Sequence, residues 1–202
     1  MLENKLGITN EIELSKEEER ITKLKALELF DTNKINEFEV GTFNGLSKIH
    51  NYLFSDIYEF AGKIRKENIS KGNFRFASAL YLEDVLSKID EMPQKTFDDI
   101  IKKYIEMNIA HPFREGNGRS TRIWLDMILK KEINKVVDWS KIDKEDYLLA
   151  MERSPIKDTE IKLLLESALT DKINDRTVYM KGIDVSYGYE GYTTYSIEEL
   201  DK

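Results

Sequence analysis

The sequence has no cysteine in 202 residues, two histidines and three prolines. Without cysteine there can be no disulfide, no thiol nucleophile and no thiolate zinc site. With His50 and His111 as the whole histidine complement, a histidine-based metal cluster is not expected either. No apolar run approaches the roughly 20 residues that span a bilayer. Met1 to Arg20 lacks a basic start followed by an apolar stretch, so no signal peptide is expected. Membrane partners are therefore not expected, and a reducing, cytoplasmic location fits. Positive charge is in the minority, with 31 Lys and Arg against 38 Asp and Glu and a net charge of −7, so direct nucleic-acid binding is not expected.

What is present is mostly helical patterning on the scale of one domain. Ile21 to Phe30 has amphipathic spacing, and Thr42 can cap a helix running to Phe54. His50 falls inside that helix and reads as a packed, structural histidine. A helical pattern from Ser78 ends at Pro93, and Thr96 caps another that Pro112 stops after Ala110. Phe113 reads as a buried anchor, and Ile123, Trp124, Met127 and Ile128 form a core stripe. Helices are expected over 142–154 and 159–170, separated by Pro155, and an amphipathic stretch over 171–180. Between Gly62 and Phe76 the pattern turns polar and alternating, which reads as a β-hairpin turning near Lys71-Gly72-Asn73. The expected fold is all-α with one small β-hairpin. Its parts are an N-terminal arm (1–20), a core (21–181) carrying the hairpin at 62–76, a short helix (182–191) and a tail (192–202).

One stretch concentrates the chemistry: His111-Pro-Phe-Arg-Glu-Gly-Asn-Gly-Arg-Ser-Thr-Arg122. It reads as a tight loop entering a helix N-terminus, where unpaired N–H groups and the helix dipole favour an anion. Gly116 and Gly118 allow close backbone approach. Arg119 and Arg122 share a face at i and i+3. Two guanidiniums at a helix N-terminus oppose the dipole unless a strong anion binds, and a polyphosphate suits. Glu115 is placed to hold a divalent cation on such a phosphate. His111 alone in the stretch can accept a proton near neutral pH.

These residues resemble the Fic motif, His-Pro-Phe-x-(Asp/Glu)-Gly-Asn-Gly-Arg-x-x-Arg, at every position. The match is supported upstream, where Phe60-Ala61-Gly62 and then Arg65 are similar to the same family. Near the C-terminus, Ser186-Tyr-Gly-Tyr-Glu190-Gly191 resembles the family's inhibitory motif, (Ser/Thr)-x-x-x-Glu-(Gly/Asn), in the C-terminal place that marks class III. Ser186 and Glu190 lie at i and i+4 on one helical face, and Gly191 is a natural C′ residue. The resemblance covers about residues 46–191.

The resemblance implies a bacterial protein adenylyltransferase that moves AMP from ATP to a Tyr, Ser or Thr hydroxyl, with Mg²⁺ as cofactor. His111 is then the base and Glu115 the magnesium ligand. Gly116, Asn117 (amide and side chain) and Gly118 cradle the α-phosphate region, and Arg119 and Arg122 hold the outer phosphates. The 62–76 hairpin becomes the flap, which aligns the target protein and closes on the nucleotide through Lys71, Gly72, Asn73 and Phe74. Glycine at 118, where the phosphorylating Doc branch carries lysine, favours AMP transfer. Residues 182–191 become an inhibitory helix in which Glu190 pairs with Arg122. Once released, that helix would present Tyr187 for self-modification, which could couple the switch to homo-oligomerisation. A type II topoisomerase subunit is the target suggested by relatives. The alternatives are a nucleotide-binding module without turnover, transfer of another nucleotide, and reversal of the modification.

Overall fold

The computed structural model describes residues 1–72 and 74–202. Helix α1 (Glu11–Asp31) starts where the Asn10 side chain accepts the Glu13 N–H at 3.0 Å. It runs unbroken through the expected division between residues 20 and 21, so the N-terminal arm and the first core helix are one element. Its buried face carries Glu18, Glu19 and Lys23, and these polar residues interrupt the apolar period that would reveal one continuous helix. Helix α2 (Phe43–Phe54) is capped by Thr42, which accepts the Gly45 N–H at 3.1 Å. Strands β1 (Ser70–Lys71) and β2 (Phe74–Arg75) pair antiparallel, Ser70 with Arg75 and Lys71 with Phe74. This is the expected hairpin, with Gly72 at φ +57 in its turn and Asn73 outside the described residues.

Helices α3 (Leu82–Glu91) and α4 (Phe97–Ala110) follow, the second opened by a Thr96–Asp99 capping box. Helix α5 (Asn117–Ile133) is buried on nearly all sides, with Trp124, Leu125, Ile128 and Leu129 at 0% exposure. It packs against α2 and α4, so it is the central post of the fold. Beyond it come β3 (Val136–Val137), α6 (Lys144–Arg153), α7 (Thr159–Ser167) and β4 (Leu169–Thr170). The helix expected to reach Thr170 stops at Ser167, because Leu169–Thr170 pairs with Val136–Val137 as a second two-stranded ladder. Strands of two residues are too short to show a period.

Helix α8 (Arg176–Gly188) joins the stretch expected over 171–180 to the short helix expected over 182–191, starting later than the first and ending at Gly188, so Glu190 lies in the turn beyond it. Asp175 caps it, accepting the Val178 N–H at 3.0 Å. Gly182 sits inside it because a Cβ there would press on the Trp139 ring at 3.2 Å. The tail forms α9 (Ile197–Leu200) and docks on α1. Buried Lys23 holds Glu19 (3.1 Å), Asp184 (2.9 Å) and the Tyr195 carbonyl (2.6 Å), while Glu19 accepts the Thr194 N–H at 3.0 Å. No helix is long and apolar enough to cross a membrane among the described residues.

Candidate active site

The 111–118 loop is built by backbone geometry before it offers any chemistry. Helix α4 ends at His111, whose φ of +47 is uncommon for a residue with a Cβ. Pro112 cannot continue the helix. Phe113 is fully buried, stacked on His50 at 3.8 Å. The Asn117 side chain then closes the loop, accepting the Phe113 N–H at 2.8 Å and donating to the Phe113 carbonyl at 2.7 Å. Gly116 has φ +77, and a Cβ there would lie 2.4 Å from the Phe54 ring. His50 braces the loop from below. Its Nδ1 accepts the Gly62 N–H (2.9 Å), so its Nε2–H donates to the Glu115 carbonyl (2.8 Å). Burial pulls the His50 pKa down to about 3, so it is neutral at physiological pH.

An open cleft of about 890 Å³ lies over this loop, large enough for a nucleotide. The flap forms one wall, with Ser70, Lys71, Gly72 and Phe74, and α6 forms the facing wall, with Tyr147, Leu148, Met151 and Glu152. His111, Glu115, Gly116, Asn117 and Gly118 make the floor, and Arg122, Glu190 and Tyr192 close the end. A second cavity of about 50 Å³ behind Arg122 and Ser186 is far too small for a nucleotide.

His111 is half-buried and stacks on Phe76 with 3.7 Å between ring centres. Its Nδ1 lies 3.3 Å from the Asn108 carbonyl, which assigns the proton to Nδ1 and a lone pair to Nε2. Burial is the main cause that lowers its pKa to about 4, so the imidazole is neutral and able to accept a proton across the physiological range.

The two motif arginines have different fates. Arg122 donates from Nε to Ser186 Oγ (2.6 Å) and from Nη2 to the Ser186 carbonyl (2.8 Å) and Glu190 Oε1 (2.7 Å). Arg119 is 0% exposed and does not line the cleft. Its Nε donates to Glu190 Oε2 at 2.8 Å, its Nη2 to Glu115 Oε1 at 3.2 Å, and its Nη1 lies 2.7 Å from Glu18 Oε1 in a charge contact poorly aligned for a hydrogen bond. The rings of Phe54 and Tyr192 lie 4.9 and 4.4 Å from its guanidinium. Burial works to raise the Glu190 pKa, but Arg119 and Arg122 together outweigh it and hold the carboxylate ionised, below its ordinary range. Glu190 also covers the α5 N-terminus, since a Cβ on Gly118 would lie 2.2 Å from its Oε1. The chain's own carboxylate thus occupies the entrance to the anion site.

Three of the expected site residues are engaged within the protein in this structure. The Asn117 side chain is bonded in both directions to Phe113, so its first role in this structure is to close the loop. Arg119 is directed into the protein toward Glu18, because α1 brings a buried acid to that side of α5. Tyr187 is 0% exposed and packs beside Lys23 and Arg119, away from His111; the tyrosine of that segment that lines the cleft is Tyr192. Ser186 and Glu190 share a face, as their i, i+4 spacing predicts, and both engage Arg122. Gly191, at φ +91, ends the segment, with the Tyr192 N–H returning to the Tyr187 carbonyl at 3.1 Å. Sequence reasoning misses Glu18 and the α6 wall, neither of which leaves a signal, whereas the structural reading of His50 agrees with its buried, hydrogen-bonded place under the loop.

Comparison with known proteins agrees with this geometry. Residues 42–129 match the Fic/DOC family model, and the chain carries a Fic domain. Protein adenylyltransferase VbhT of Bartonella schoenbuchensis is 29% identical over 198 residues, which cover 92% of this chain and 39% of that protein. The chain therefore spans about two fifths of that relative's length. The probable protein adenylyltransferase Fic of Salmonella typhimurium is 25% identical, with 85% of this chain and 88% of that protein covered. The crystal structure of BepC from Bartonella tribocorum with bound AMPPNP superposes with a TM-score of 0.67 at 21% identity, over 84% of this chain and 92% of that chain. This last likeness concerns the fold.

Proposed function

We propose that this chain is a protein adenylyltransferase, held in a resting state by its own C-terminal helix. The observation that carries the reading is the cleft itself: a neutral His111 on its floor, beside a helix N-terminus already occupied by a carboxylate. The names of the relatives support the same activity. In the reaction, the Nε2 lone pair of His111 takes the proton of a target Tyr, Ser or Thr hydroxyl as its oxygen attacks the α-phosphorus of ATP. The bond from that phosphorus to the bridging oxygen breaks, and pyrophosphate leaves. The backbone of residues 116–118 and the dipole of α5 stabilise charge on the α-phosphate. Arg122 takes the γ-phosphate. The apolar side chains of α6 and Phe74 flank the rest of the nucleotide, with Lys71 and Gly72 closing over it. Phosphoryl transfer of this kind depends on positioning and charge rather than on covalent catalysis by the protein.

The residues fit Mg²⁺ as a phosphate-held ion. Glu115 reaches the cleft with its side chain 41% exposed and spends only Oε1 on Gly116 and Arg119. No group of three or more acidic or histidine ligands exists among the described residues, and Mg²⁺ in such sites takes one or two carboxylates and draws its other ligands from phosphate and water. Bound there, it would neutralise developing phosphate charge.

Glu190 is the inhibitor in this reading, as in class III arrangements. It occupies Arg122 and the space above Gly118, so ATP must displace it to seat its outer phosphates. Self-modification belongs to a state in which α8 has left the domain; Tyr187 becomes available only then. Homo-oligomerisation would control that release if the acceptor is a second copy. The site of action is the bacterial cytoplasm, and a type II topoisomerase subunit is the first target to assay. The test is incubation of the Glu190→Gly protein with a bacterial lysate, Mg²⁺ and ATP labelled at the α- or γ-phosphate. α-Label on protein is expected. γ-Label would make the chain a kinase, and label on no protein would leave a nucleotide-binding module.

A further inference from the structure

We infer that Arg65 is the positioning residue that ties the flap to the catalytic histidine, through one buried guanidinium bonded to both. The inference rests on the adenylyltransferase reading. Arg65 is 4% exposed and forms no ion pair with any described residue. All its hydrogen bonds go to backbone carbonyls. Nε donates to His111 at 2.7 Å, and Nη2 to Ala110 at 3.1 Å and Ala77 at 2.5 Å. Nη1 donates to Glu67 at 2.6 Å. Two acceptors are thus the end of α4 and the catalytic residue itself, and the other two lie on the two arms of the flap hairpin, before β1 and after β2.

The arrangement has a physical reason. The last carbonyls of a helix have no intrahelical partner and carry the negative end of its dipole, so a cation there is favoured. A guanidinium can satisfy several acceptors in one plane at fixed angles. A lysine ammonium places a point charge in the same region with three donors and cannot reproduce that fork. The main chain adds two stitches: the Arg65 N–H donates to the Pro112 carbonyl at 2.8 Å, and the Ala77 N–H to the Ile109 carbonyl at 2.9 Å.

The consequence concerns His111. Its left-handed backbone conformation is costly and persists only where the surroundings over-determine it. Arg65 holds the carbonyl of that residue, and Phe76, on the flap arm, covers its ring. A flap displaced by a docking target pulls on the Glu67 and Ala77 carbonyls, and Arg65 transmits that pull to the peptide carrying His111. Seating the target and orienting the imidazole are then one event.

The test uses the full chain carrying Glu190→Gly, with Arg65→Lys and Arg65→Ala added separately. [α-³²P]ATP is varied against a fixed bacterial lysate as acceptor, and binding of a fluorescent ATP analogue is measured in parallel. Circular dichroism and Tm identify the folded variants. In folded Arg65→Lys, kcat is expected to fall at least 10-fold while KM for ATP and analogue affinity stay within about 3-fold. In Arg65→Ala, low millimolar guanidinium ion is expected to restore part of the lost kcat. An unchanged kcat in Arg65→Lys overturns the inference, as does a loss of ATP affinity as large as the loss of kcat, which would mark a merely structural residue. If Arg65→Ala does not fold, Arg65→Lys alone decides. No transfer by the parent Glu190→Gly protein would instead refute the activity on which the inference rests.

Discussion

Two parts of the chain grip the same motif from opposite sides, with different chemistry. The flap side reaches it through Arg65, a cation bonded to neutral carbonyls at the end of α4. The turn just beyond helix α8 reaches it through Glu190, an anion bonded to two cations at the start of α5. Neither substrate offers a competitor for the first grip, so it stays assembled while the flap moves. The second has a competitor, because a triphosphate offers the same negative oxygens to Arg122. A site that must stay assembled yet open on demand separates the two tasks in this way. The grip that positions the base uses bonds no substrate can replace, and the grip that blocks the phosphates uses bonds the substrate can take over.

The largest expected effect lies on the catalytic floor, where neither grip can compensate. His111→Ala in the Glu190→Gly background should lower label transfer by about 10²- to 10⁴-fold, the usual contribution of a positioned general base. Binding of the ATP analogue should stay within a few-fold, since the anion site is built from α5. A parallel collapse of binding would show that His111 holds the loop rather than the proton. The pH dependence has a definite sign. Burial lowers the His111 pKa to about 4, and only the neutral imidazole accepts a proton. Activity should therefore be insensitive to this group at neutral pH and fall as pH drops toward 4.

The next effect sharpens what α8 leans on. Arg119 is fully enclosed and contacts Glu18, Glu115 and Glu190. Glu18 also accepts hydrogen bonds from Tyr58 and Tyr192. Removing one partner of a buried pair leaves an uncompensated charge, at a cost of roughly 3–5 kcal/mol. Glu18→Ala should lower the unfolding free energy by that order, read as a drop in the urea midpoint. A change under 1 kcal/mol would mean that Glu190 and Glu115 suffice for Arg119.

This network also shows where the sequence stops being informative. The motif, the caps at Thr42 and Thr96, and the shared face of Ser186 and Glu190 all follow from local spacing; that Glu190 meets Arg122 comes from the family resemblance. Local spacing is what a sequence displays. Arg119 shares a face with Arg122 by the same reasoning, yet it turns inward because Glu18, about a hundred positions away, packs against it. Asn117 looks free for a ligand until the fold returns Phe113 to its side chain. The β3–β4 ladder joins residues more than thirty apart through strands of two residues. For Arg119 and for the ladder the deciding partner is distant in the chain; for Asn117 it is four residues away, across a loop whose path no periodicity records.

Loss of the carboxylate should have an effect of the next size down. A charge-assisted hydrogen bond contributes about 1.5–3 kcal/mol, so Glu190→Gly should raise initial transfer by roughly 10- to 150-fold, measured with α-labelled ATP. An unchanged rate would remove α8 from control and reduce the comparison to one grip.

The smallest effect tests whether α8 acts as a helix or only as a carrier for one carboxylate. Gly188 is its last helical residue, has no positive φ, and an added Cβ there would meet nothing within 4 Å. Gly188→Ala should therefore stabilise the helix by up to about 1 kcal/mol. That is equivalent to roughly a fivefold shift in an opening equilibrium. Basal transfer should fall by up to that factor, with the hydrogen exchange of α8 amides slowed in proportion. The same substitution in the Glu190→Gly background should leave transfer unchanged, because a tighter helix without its carboxylate blocks no phosphate. A fall of equal size in both backgrounds would place the obstruction in the body of α8 and not in Glu190. The competition at Arg122 would then be secondary to a steric one.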